Sequence, residues 1–97
     1  MIAAEARKIY ETAVLEEARR NKENWQKLRE RIDYRIEEAS INRQTSITVK
    51  RRDIIIMNNY GKNALFDLQR DGFLIRLYNG TEVVDKPEFA DKMVISW

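Results

Sequence analysis

The chain has 97 residues, 18 Lys/Arg against 16 Asp/Glu, 35% charged and 43% hydrophobic, the profile of one folded domain rather than a disordered tail. No stretch approaches the ~18 apolar residues of a membrane span, and Glu5, Arg7, Lys8 and Glu11 interrupt what would be the apolar core of a signal peptide, so a cytosolic location is the expectation. Cysteine and histidine are both absent, which excludes disulfides, thiol nucleophiles, Ser-His triads and the usual zinc sites and predicts a protein that is not an enzyme and carries no cofactor or metal.

From Ile2 to about Ser40 there is neither proline nor glycine, and Ala, Glu, Arg, Lys and Leu dominate. Helix propensity is high throughout. Apolar residues recur at Ile2, Ala6, Ile9 and Ala13 and again at Trp25, Leu28, Ile32, Ile36 and Ala39, spacings of three and four that mark one helical face. Between them lies "RRNKEN", residues 19–24, where no apolar residue continues the seam and Asn21 and Asn24 are possible caps. The helix is therefore either continuous or broken near residues 19–24. Unbroken, it would span roughly 57 Å, longer than a domain of this size is wide. Part of its apolar stripe then lacks an intramolecular partner. Self-association into a dimer or tetramer is the expectation, with Ile2, Ile9, Tyr10, Ala13 and Val14 as seam residues.

"TSITV", Thr45 to Val49, alternates as a strand does. It runs into Lys50, Arg51 and Arg52, read as cations at a strand end. Residues 53–60 are ambiguous: Asp53 caps a helix running through Ile54 and Met57, or "DIIIM" is another strand. A short helix over 61–71 stops at Asp71-Gly72. Asn79-Gly80 between two β-prone runs predicts a type I′ hairpin joining strands 73–78 and 81–85, and "KMVISW" closes the chain as a further strand. The class is α+β: a long N-terminal helix followed by a small, mainly antiparallel sheet with one short helix. One domain covers 1–97, with 1–42 as a helical oligomerisation region and 43–97 as the α/β part.

Ser46 to Val49, Gly72-Phe73 with the strand after it, and the terminal Ile95-Ser96-Trp97 resemble short motifs of small phage proteins, and among these the sponges that act against the bacterial immune system called CBASS. The interval from Val49 to Gly72 is longer here than in that group. The resemblance implies a phage-encoded oligomer in the cytoplasm of the infected bacterial host, which sequesters cyclic dinucleotides without cleaving them and so inhibits that defence.

Residues 41–66 hold five basic residues and one acidic, against a balance of nine and nine in residues 1–40. Arg51 and Arg52 are candidates for bidentate phosphate contacts, with Lys62 as a further point charge. Tyr60 and Trp97 offer flat surfaces for bases, Asn58 and Asn59 face base edges, and Gly61 lets backbone approach. Each has a plainer reading: cations at a strand end discourage sheet-to-sheet pairing, Tyr60-Gly61 is a turn, and Trp97 packs with Met93 and Ile95. Two other functions fit the same composition. One is a protein-interaction module, a host-factor inhibitor or small virion component acting through its helices; the other is a weak nucleic-acid binder using Arg43 and Lys50 to Arg52. The thin excess of charge argues against nucleic acid as a partner.

Overall fold

Helix α1 runs unbroken from Ala3 to Ile41 in the computed structural model, which describes residues 1–60 and 63–97. Its 39 residues give ~58 Å at ~1.5 Å each, and this sets the 60 Å long axis of the molecule. Asn21 and Asn24 lie mid-helix rather than at a cap. Each costs only a fraction of a kcal/mol relative to better helix formers, too little to break a run without glycine or proline. The C-terminal half alone enters the body: Trp25, Leu28, Ile32 and Ala39 are buried and Ile36 packs beside them. Every residue from 1 to 20 is exposed.

The rest of the chain supplies β1 (Ser46–Lys50), α2 (Arg51–Asn59), α3 (Ala64–Arg70), β2 (Leu74–Asn79), β3 (Glu82–Val84), a 3-10 turn at Pro87–Phe89 and β4 (Lys92–Ser96). The four strands form one antiparallel sheet in the order β1-β4-β2-β3. Ile47, Val49, Leu77, Met93 and Ile95 are buried on one face with Leu28, Ile32, Ile54, Met57 and Leu68 from the helices. Alternate strand residues take the opposite side. The architecture is thus two layers, helices over one face of an α+β sheet.

Two expectations need correction. Residues 51–59 form a second short helix whose N-cap is Lys50, not Asp53; Asp53 lies in its first turn, 3.6 Å from Arg31 of α1. Arg51 and Arg52 are therefore helical, not a strand end. The hairpin is also one residue out of the predicted register. Asn79 pairs with Glu82, so Gly80 and Thr81 make the turn, and only Gly80 of these has positive φ, at +61°. Glycine first and an ordinary residue second is the type II′ pattern rather than I′.

Helix ends account for the remaining turns. Asn63 caps α3 by accepting from the Phe66 amide at 3.1 Å. Gly72, φ +96°, ends it with Gly72 N–H donating to Gln69 and Phe73 N–H to Leu68, a Schellman motif at the predicted stop. The same motif ends α1, with Arg43 N–H donating to Ser40 and Gln44 N–H to Ala39. Here the left-handed position, φ +62°, is filled by Arg43.

Candidate functional site

Helix α2 lies against α1, with Asp53 beside Arg31 and Tyr60 beside Trp25. The two helices therefore run antiparallel. Arg51 and Arg52 sit on the first turn of α2, and Asn59 ends it, eight residues and ~12 Å further along the axis. The cationic and amide candidates are held apart by the helix between them.

Arg51 turns its guanidinium onto backbone carbonyls within and just after the 3-10 turn. One terminal nitrogen donates to Ala90 at 2.6 Å and to Glu88 at 3.4 Å, and the other donates to Glu88 at 3.4 Å. It joins the start of α2 to the segment entering β4, a structural duty that the one-dimensional spacing did not reveal. Arg52 is exposed beside it. Tyr60 is half-buried, its ring 5.7 Å from that of Trp25, so one face of the predicted stacking surface is already occupied. Lys62, like Gly61, lies outside the described residues.

Trp97 stands at the far end of the sheet. Its amide donates to the Thr45 carbonyl at 2.9 Å, and its ring meets Phe73 edge to face at 6.3 Å. Opposite Thr45, it lies five residues, ~17 Å, along the strands from Lys50. Although Trp97 continues the alternation of Met93 and Ile95, those two are fully buried while it keeps 37% of its surface. Phe73 also lies under the Arg29 guanidinium, 5.8 Å from its carbon. Arg29 in turn bonds Asp33 and Asp71, each at 2.9 Å. Burial pulls the Arg29 pKa down, but the hydrogen bonds and charge of Asp33 and then Asp71 outweigh it and raise the net value. This end of the sheet is a braced corner.

The outward sheet face carries a cluster that linear reading missed. Lys50 pairs with Lys92, Lys92 with Tyr78 and Tyr78 with Val83, while Arg76 pairs with Val94 in the next row. The Lys92 ammonium lies 5.7 Å from the Tyr78 ring centre. Three cations and one aromatic thus share this face, although they are spread over 43 positions of sequence. Alternation within β2 and β4 was the available signal; strand order was needed to use it.

Beside the free edge of β1 runs an open groove of about 390 Å³, lined by Arg35, Glu38, Asn42, Gln44, Ser46 and Thr48 among others. Thr45 and Trp97 form a hydrogen-bonded pair, so the alternation of an antiparallel ladder points the backbone groups of Ser46, Thr48 and Lys50 towards this edge. Arg35 donates to the Thr48 carbonyl at 2.7 Å. Comparison with known protein families, curated proteins and solved structures found no match.

Proposed function

We propose that this chain is a non-catalytic binding protein that works as an assembly of copies. The observation that carries the reading is the projecting half of α1, where Ile2, Ile9, Tyr10 and Val14 keep 65, 58, 69 and 46% of their surface. Together with Ala3, Ala6 and Ala13 they occupy one broad arc of the helix, unbroken by a charge from residue 2 to 14. A continuous apolar face of this kind on a charged helix fits a partner surface. Pairing of copies would cover it.

The ligand in this reading is a cyclic dinucleotide of bacterial immune signalling, held intact between copies, as the sequence resemblance implies. Arg52, Asn59 and Trp97 stand at three separate places on one chain, so an enclosing site draws on more than one copy. Lys50, Lys92 and Arg76 supply further cations for the two phosphates. Thermal shift and calorimetry against a panel of cyclic di- and trinucleotides test it, with the solution mass measured alongside. Stabilisation by one member of the panel is the expected result, and no response to any of them rejects the ligand.

The groove beside β1 favours a second reading, a protein-interaction module. Strand-edge groups accept an extended segment by adding a strand, here with Arg35 displaced from the Thr48 carbonyl that it now occupies. Capture of a host or virion protein, lost when Thr48→Pro removes the edge amide, is its signature.

A further inference from the structure

Ile2, the N-cap residue just before α1, and Ala6, Ile9 and Ala13 on the part of α1 that stands clear of the body follow one another at spacings of four, three and four. Large and small side chains alternate along this line. We propose that two copies pair antiparallel through it, Ile2 against the partner's Ala13 and Ala6 against the partner's Ile9, an inference that rests on the self-association proposed above.

The alternation decides the direction. In an antiparallel pair, each of the four layers joins one isoleucine to one alanine, so the helices keep one even separation along the seam. A parallel pair in register stacks Ile2 on Ile2 and Ala6 on Ala6. Its layers alternate between crowded and empty, and packing at interior density tolerates neither.

Charge gives the same answer independently. Past Ala13 the same line continues as Glu16, Arg20, Glu23 and Lys27. Parallel helices would set each of these against its own copy, a run of like charges. Antiparallel pairing over residues 2–13 leaves that segment beyond the end of the partner helix. The flanks also agree: Tyr10 lies over the partner's Ala3, a large residue again facing a small one.

The pair is isologous, with its twofold axis between residues 7 and 8, and the two bodies stand ~50 Å apart along the helices, so a ligand enclosed by two bodies lies between bodies of different pairs. The overlap is only ~20 Å long, which puts the interface below the ~1,200 Å² of ordinary stable complexes. The apparent mass therefore rises with concentration through the micromolar range.

Because the chain has no cysteine, single introduced cysteines report the direction. An Ile2→Cys chain extended at its C-terminus is mixed with an untagged Ala13→Cys chain, oxidised at high micromolar concentration and run without reductant, so that the three possible disulfide pairs differ in size. The mixed pair is expected to dominate, since antiparallel geometry leaves the two copies of position 2 ~16 Å apart, against the ~7 Å limit for a disulfide. Predominance of the two like pairs overturns the antiparallel assignment and leaves self-association standing. A dimer by mass that forms none of the three puts the seam elsewhere and also overturns it. A monomer at every concentration removes both readings.

Discussion

The ring of Tyr60 lies 5.7 Å from that of Trp25, the two planes tilted by 35°. Trp25 is the first residue of α1 to be buried, and Tyr60 caps α2. The pair therefore fixes the end of α2 at the point where α1 leaves the body.

That position predicts a stability phenotype for Tyr60. Replacement by alanine removes part of a packed aromatic pair and is expected to cost about 1–3 kcal/mol in urea denaturation, while Tyr60→Phe keeps the ring and costs little. A residue acting mainly as a stacking surface for a base would behave otherwise. Its alanine variant would lose ligand affinity with the denaturation midpoint unchanged.

Arg51 and Arg52 are neighbours with different duties, and paired alanine variants separate them. Arg51→Ala removes three donor contacts to the Glu88 and Ala90 carbonyls and is expected to destabilise by about 1–3 kcal/mol. Arg51→Lys restores little, because an ammonium lacks the fork that reaches both carbonyls. Arg52→Ala, on an exposed turn, should stay within about 0.5 kcal/mol of the parent. Equal loss of stability in the two alanine variants would contradict these assignments.

Arg43 ends α1 in the left-handed conformation, a position that side chains other than glycine occupy at a cost. Arg43→Gly relieves about 1–2 kcal/mol of left-handed strain against about 0.4–1 kcal/mol of added chain entropy in the unfolded state, and is expected to raise stability by about 0.5–1 kcal/mol, read as a higher thermal midpoint with the helix content unchanged. A fall in stability would mean that the arginine side chain contributes more than the strain it imposes.

Elements whose signal is periodic were legible in the sequence. The stripe Trp25, Leu28, Ile32, Ile36 and Ala39 was read as one helical face and is the face that packs. Alternation likewise identified β1 and β4, and Asp71-Gly72 marked the end of α3. What failed depended on partners distant in the chain. Lys50 to Arg52 look alike as a strand end or as the first turn of a helix, and the carbonyls that hold Arg51 lie 37 and 39 residues away. Arg43 shows why a cap without glycine escapes notice. The hairpin slipped by one residue because Asn79-Gly80 and Gly80-Thr81 are both acceptable tight turns, and pairing along β2 and β3 decides between them.

Ile9 is 58% exposed on the projecting half of α1 and touches nothing in the packed body. Ile9→Glu should therefore leave folding within about 0.5 kcal/mol of the parent. Its effect on the assembly is opposite in scale, because pairing would bury two carboxylates in a seam that offers them no cation or donor. Sedimentation equilibrium is expected to show a concentration-dependent mass for the parent and the mass of a single chain for Ile9→Glu. Leu15→Glu is the matched control: Leu15 is 71% exposed but faces nearly away from the line of Ile2, Ala6, Ile9 and Ala13, and its variant should still associate. Identical sedimentation of the parent and Ile9→Glu would remove the helix seam, whereas loss of association in both variants would show that any added charge, not the stripe, is what the assembly rejects.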